Sequence, residues 1–255
     1  MRILYLIIFF ILGTLMGSFY TVIGTRLPKN ESFLKGRSHC DNCKNTLSFL
    51  DLIPILSYIF LRGKCRYCSN KIDPLSTWME LFTGLLFSLS YFTFGFSSGL
   101  FYALGIVSLL IILSVSDILY YIIPDEVLIF FSGYFIIVTA ISSGVVAALS
   151  SILSGLLLFG FMYLVMLMGN FLFKKESLGG GDIKLMFVVG LVLNPFLGLL
   201  VIFIASVIAL PISLIILWKR KKNLVPFGPF LLIGFMFIYF TRLNMDIVID
   251  FIRSI

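Results

Sequence analysis

The residues best suited to chemistry in this chain are two aspartates, Asp117 and Asp182, each at the edge of a long apolar run. Asp182 closes the glycine-rich turn of Ser177-Leu178-Gly179-Gly180-Gly181-Asp182-Ile183-Lys184-Leu185. The consecutive Gly179, Gly180 and Gly181 let the backbone take φ > 0 and approach another chain closely, which suits a place where substrate lies against the main chain. The helix predicted to begin at or near Asp182 points its free N–H groups and positive dipole end at that carboxylate. Asp117, in Ser114-Val-Ser-Asp117, instead ends a predicted helix, at the negative end of the dipole. Two carboxylates held together cannot both ionise easily, so one keeps a proton and the pair can activate a water for peptide hydrolysis. On helix ends alone, Asp182 is the ionised base and Asp117 the protonated acid.

A second constellation is Cys40-x-x-Cys43 with Cys65-x-x-Cys68, the chain's four cysteines, with 21 residues between the pairs. Four thiolates in two such knuckles can close a tetrahedral zinc site, and with no open ligand position the metal is structural. The alternative is four reduced structural thiols. Disulfides are disfavoured because the segment is expected to face the reducing cytoplasm. His39, the chain's one histidine, borders the first knuckle and is expected to support the site or lie exposed, since four sulfurs already complete it.

These residues must be positioned by membrane helices. Of the 255 residues, 60% are hydrophobic and 12% charged, and the mean hydropathy is +1.11, which excludes a water-soluble domain. A spanning helix needs ~20 apolar residues, and about eight apolar runs lie near residues 3–24, 78–95, 98–116, 126–142, 147–171, 183–194, 196–218 and 226–241. The sixth is short, with a break expected at Asn194-Pro195. The expected fold is an all-α polytopic membrane protein of about eight spans. Its parts are a first helix (1–25), a cytoplasmic four-cysteine loop (26–77) and a transmembrane peptidase region (78–255). Placing the loop after the first helix inside puts 16 of the 19 lysines and arginines on the cytoplasmic side. The net charge of +7 therefore reports topology; no nucleic-acid partner is implied, because no stacking aromatics alternate with the cations.

Other features have cheaper readings beside the functional ones. Gly13-x-x-x-Gly17 is a small-residue face for helix packing. The apolar stretch Leu47–Leu61, broken at Pro54, is too short to span and is expected to lie at the membrane interface. Glu80, just inside an apolar run, is a candidate to meet substrate or to be a paired interfacial acid. Asp125 follows Pro124 and is expected as the N-cap or a first-turn residue of the next helix. Lys184 either holds Asp182 ionised or snorkels to the interface. Pro211 is an expected kink, and the tail Asn244–Ile255 an interfacial amphipathic segment.

The chain resembles the bacterial type 4 prepilin peptidases, membrane aspartic proteases with a Gly-x-Gly-Asp motif. The likeness runs through Gly17-Ser18-Phe19, Arg26-Leu27-Pro28, Gly36-Arg37-Ser38-His39-Cys40-x-x-Cys43 and Asp51-Leu52-Ile53-Pro54. It continues through Leu61-Arg62-Gly63-Lys64-Cys65-Arg66-Tyr67-Cys68, Glu80-Leu81, Asp117 with Ile123-Pro124-Asp125, Gly179-x-Gly181-Asp182-x-Lys184 and Pro226-Phe227-Gly228-Pro229. The chain departs from the family pattern at Thr21 and at Thr77-Trp78.

The resemblance implies that Asp117 and Asp182 are catalytic. It also implies that prepilins or pseudopilins are the substrates, cut on the cytoplasmic face of the bacterial inner membrane, and that S-adenosylmethionine serves N-methylation of the new terminus, an activity associated with the four-cysteine loop (26–77). The rival readings are a peptidase without methylation and a non-enzymatic scaffold or proton-coupled transporter. Transporters place their acids near the midplane in interrupted helices, often with inverted repeats; here the acids sit at one face and no repeat is expected.

Overall fold

The computed structural model describes residues 1–33, 38–40, 42–174, 178–220 and 225–243. The expected amphipathic tail and the cations Lys35, Arg37, Lys175, Lys221 and Lys222 lie outside the described residues. Of the described residues, 78% are helical. Among the described residues there is no strand, only two isolated antiparallel bridges. Two compact units form, Met1–Phe96 and Ser97–Ile255.

In the first unit, α1 (Arg2–Arg26) packs along α3 (Leu75–Phe94). The small-residue face makes this approach possible. A Cβ on Gly13 would lie 2.7 Å from the Thr83 carbonyl oxygen, and one on Gly17 2.9 Å from the Glu80 Cα, so any larger residue forces the helices apart. Between the helices run a 3₁₀ turn (Phe49–Leu52) and the five-residue α2 (Leu56–Phe60), flanked by the cysteine pairs.

The second unit holds α4 (Ser98–Tyr120), α5 (Asp125–Ser143), α6 (Val145–Phe173), α7 (Gly180–Val192), α8 (Pro195–Arg220) and α9 (Gly228–Phe240). Its centre is α4, which packs against α5 and α9 and is buried along nearly its whole length from Ala103 to Asp117. Beside it α7 is almost as deeply enclosed, between α5 and α6. Its approach to α6 also depends on glycine, since a Cβ on Gly190 would meet the Gly155 Cα at 2.6 Å.

These helices stand where the apolar runs predict them. Five of them, α1, α4, α5, α6 and α8, are long and apolar enough to cross a membrane. At 13 residues, α7 and α9 rise only ~20 Å, against a hydrocarbon core of ~30 Å. The end of α7 coincides with the expected break, where Asn194 Oδ1 accepts the Leu197 N–H at 2.9 Å and caps α8. Pro211 lies inside α8, where it removes one backbone donor without ending the helix.

Candidate active site and metal centre

Asp117 occupies the last turn of α4, which stops because Tyr121 takes the left-handed conformation (φ 57°) and returns its N–H to the Asp117 carbonyl at 2.9 Å. The chain then folds back, secured by the Ser116 hydroxyl donating to the Ile122 carbonyl at 2.5 Å. This brings Ile123 against two glycines. A Cβ on Gly181 would lie 2.7 Å from the Ile123 Cβ, and one on Gly228 3.1 Å from its Cδ1. Gly181 precedes Asp182 in the first turn of α7, and Gly228 begins α9.

The structure thereby gathers Asp117 and Asp182 into one neighbourhood. Both are buried, at 6% and 9% relative exposure, and close enough for their charges to interact. Their surroundings differ. Asp117 Oδ2 accepts the Gly228 N–H at 3.1 Å, across 111 residues of sequence. That amide is one of the unpaired donors every helix N-terminus carries. Asp182 Oδ1 is buried with no hydrogen-bond partner among the described residues. Of the three glycines, Gly179 lies close to the acid, since its Cβ position is 3.3 Å from Asp182 Oδ2, while Gly180 faces open space.

The supporting residues divide. Lys184 does not hold Asp182: its Nζ donates to both oxygens of Asp125, at 2.8 and 2.7 Å. Asp125 makes no side-chain cap on α5; this ion pair occupies it instead. The two side chains are about half exposed (51% and 55%), so the pair stabilises by only ~0.2–1 kcal/mol.

Glu80 lies in the first unit and is buried at 6% exposure. One of its oxygens accepts the Ile55 N–H at 2.9 Å and the other the Ser76 hydroxyl at 3.3 Å. Ile55, β-branched, has φ 61° and ψ −51°, and the Leu56 N–H closes onto the Pro54 carbonyl at 2.5 Å. This is a strained positive-φ γ-turn, and Glu80 anchors it to α3.

The four cysteine Sγ atoms all lie within 4.8 Å of one another, Cys40 to Cys68 at 3.9 Å and Cys43 to Cys65 at 4.0 Å. A tetrahedron with ~2.3 Å metal–sulfur bonds has edges of ~3.8 Å, so the sulfurs are close enough to hold a metal. The two knuckles are the same structure twice. The Cys40 N–H donates to the Asn45 carbonyl and the Lys44 N–H to the Cys40 carbonyl; Cys65, Asn70 and Ser69 repeat both bonds. Lys44 and Ser69 share φ near 57° (58° and 56°), and the bridges His39 to Thr46 and Lys64 to Lys71 close the knuckles identically.

A Cys-x-x-Cys-x-Asn pattern recurring after 25 residues carries this duplication in the sequence, though no repeat was expected. Between the knuckles, Asp51 accepts from the Ser48 N–H and hydroxyl (3.0 and 2.7 Å) and from Arg66 Nε (2.7 Å). Burial works against its charge, but the Ser48 bonds and then Arg66 outweigh it and hold the carboxyl below its usual value of 3.8.

Sequence reasoning singles out both aspartates and all four cysteines; it quotes Gly228 and Ile123 within motifs but gives neither a place beside the acids. The signal for Gly228 was present, in that Pro226-Phe-Gly-Pro229 marks a helix start whose free amide needs an acceptor.

Comparison with known proteins bears on both regions. Residues 11–94 match the bacterial peptidase A24 N-terminal domain, and residues 104–214 match the type IV leader peptidase family. A prepilin leader peptidase/N-methyltransferase of Bacillus subtilis is 37% identical over 96% of both chains. One of Vibrio cholerae is 32% identical over 94% of this chain and 98% of that one. A type 4 prepilin-like proteins leader peptide-processing enzyme of Escherichia coli is 30% identical over 87% of this chain and 88% of that one. No solved structure gives a significant match. With likeness running nearly end to end, and Asp117 and Asp182 both inside the matched peptidase segment, this chain belongs to the type IV leader peptidase family.

Proposed function

We propose that this chain cleaves the leader peptide of prepilins or pseudopilins and methylates the new N-terminus, with Asp117 and Asp182 as the catalytic pair of the cleavage. The observation that carries the reading is the burial of both carboxylates in one neighbourhood, within the segment that matches the peptidase family. In the hydrolysis, one carboxylate takes a proton from water as the oxygen attacks the scissile carbonyl. The other donates its proton to the carbonyl oxygen, and the C–N bond breaks as the leaving amine is protonated.

The hydrogen bonds support an assignment opposite to the one helix ends alone predict. A charge-assisted bond such as Gly228 N–H to Asp117 is worth ~1.5–3 kcal/mol, against at most ~2 kcal/mol for a helix dipole acting on the buried Asp182. Asp182 Oδ1 has no such donor among the described residues. The resting proton is therefore given to Asp182 and the water-activating role to Asp117, the two titrating as a unit. Gly181 makes room for Ile123 beside Asp182, and Gly179 lets the main chain pass close to the carboxylate. Lys184 and Asp125 brace the start of α7, and Glu80 supports the cysteine loop.

The protein spans a bacterial inner membrane. In this reading α3, α7 and α9 join the five longer helices to make about eight membrane segments, and the cysteine loop and both aspartates face the cytoplasm, as the placement of lysine and arginine favours. Cys40, Cys43, Cys65 and Cys68 hold a structural zinc ion, which organises a loop too polar to fold around a core of its own. S-adenosylmethionine is the co-substrate that supplies the methyl group.

Incubation of the membrane-embedded chain with a prepilin, followed by mass spectrometry of the product N-terminus, tests the reading. Cleavage with a gain of one methyl group is expected. A free amine would reduce the function to peptidase alone, and an uncut precursor would leave a non-enzymatic scaffold or transporter.

A further inference from the structure

The segment between the knuckles carries an exposed feature that the proposed roles of the aspartates and cysteines leave unexplained. Phe49, Leu50, Leu52, Leu56, Ile59 and Phe60 are all exposed, Phe49 and Phe60 at 81%. Six exposed apolar side chains within 12 residues form a patch that water does not favour. Its spine is fixed at two points, by Glu80 on Ile55 and by the Asp51 contacts with Ser48 and Arg66.

Immediately beyond, Tyr58 and Arg62, which bracket Ile59 and Phe60, line a cavity of about 600 Å³ together with Lys64, Lys71, Ile72 and Asp73. Its charge is lopsided. Arg62, Lys64 and Lys71 have no ion-pair partner among the described residues, and Asp73 is engaged in accepting the Leu75 N–H at 3.0 Å. Moreover, Lys64 and Lys71 are bridge partners, directly opposite each other. Like charges in that position repel, and the corresponding pair of the first knuckle, His39 with Thr46, avoids the repulsion. An anion between the lysines removes the conflict.

We propose that this cavity seats the phosphate headgroup of an anionic phospholipid while the neighbouring apolar patch enters the acyl region. A basic cradle bordered by exposed phenylalanine and isoleucine fits an amphiphile with a charged head, and α1, which enters the loop, is itself long and apolar enough to cross the membrane. The proposal rests on the loop alone and does not depend on the catalytic reading.

The test uses the full chain in lipid nanodiscs, with Phe60→Trp as a reporter in a Trp78→Phe, Trp218→Phe background. Emission is quenched by brominated lipid, either phosphatidylglycerol or phosphatidylcholine, at equal bromine content. The proposal expects quenching by both lipids and clearly more by phosphatidylglycerol, each cation adding roughly a fivefold preference for the anionic headgroup. The Arg62→Gln/Lys64→Gln/Lys71→Gln variant should lose at least about tenfold of that preference, whereas Lys64→Arg/Lys71→Arg should keep it. Equal quenching by the two lipids before any cation is removed overturns the headgroup site. Absence of quenching by either lipid overturns membrane docking altogether.

Discussion

Alanine at two adjacent glycines should have opposite consequences. At Gly181 the added Cβ lies 2.7 Å from the Ile123 Cβ, ~1 Å inside the carbon–carbon contact optimum of about 3.5–4.0 Å. Both atoms are close to the backbone, so no side-chain rotation relieves the overlap. Overpacking of this kind costs ~1–3 kcal/mol, offset by the ~1 kcal/mol that alanine gains over glycine in a helix, and stability should fall by at most ~2 kcal/mol. Activity should suffer more. Ile123 also lies against Gly228, whose amide holds Asp117, and a shift of ~1 Å at catalytic groups costs about 100-fold in rate. At Gly180 the Cβ meets nothing within 4 Å, so Gly180→Ala should retain full cleavage and gain up to ~1 kcal/mol. Prepilin cleavage in proteoliposomes, read alongside thermal unfolding in detergent, measures both effects. Wild-type turnover by Gly181→Ala, or an equal loss in Gly180→Ala, would refute the reasoning.

Other outcomes follow from the same contacts. Gly228→Ala places a Cβ 2.9 Å from Asp117 Oδ2; a tenfold to 100-fold loss of kcat is expected, roughly the range for a misplaced catalytic group, with stability lowered by no more than the ~2 kcal/mol expected of Gly181→Ala. Metal analysis should find one zinc per chain, and Cys68→Ser should lose it and open the loop to trypsin at Arg62 and Lys64, because in the proposed reading the metal supplies the folding energy of the loop. Asp51 has a lowered folded pKa, so its contribution is complete above 3.8 and disappears as pH falls through the lower folded value. Amide exchange at Ser48 should accordingly differ between wild type and Asp51→Asn near neutral pH, and the difference should close only in strong acid.

How much of this was legible in the sequence follows from the range of each interaction. The helices were visible as apolar runs because their signal is local, and the end of α7 was visible in Asn194-Pro195 for the same reason. The two aspartates were conspicuous because an acid at the edge of a membrane run needs a purpose. Their supports were not. The Gly228 amide reaches Asp117 across 111 residues, and Lys184 chooses Asp125 across 59, so neither pairing leaves a local trace. Lys184 lay two positions from Asp182, and sequence proximity drew attention to the wrong acid. Glu80 stood out as costly, but its use as an anchor depends on a positive φ at Ile55, an isoleucine that no propensity would place there. The knuckle duplication was legible and overlooked, because a repeat of only six positions falls below the length at which repeats are usually sought.

The most direct test of the account is prepilin cleavage by Asp117→Asn and by Asp182→Asn in membranes, with methylation of an already cut prepilin as the control that each chain is folded. Both variants should leave the precursor intact while methylating the cut substrate at the wild-type rate. Substantial cleavage by either variant, with methylation preserved, would contradict the shared-proton pair.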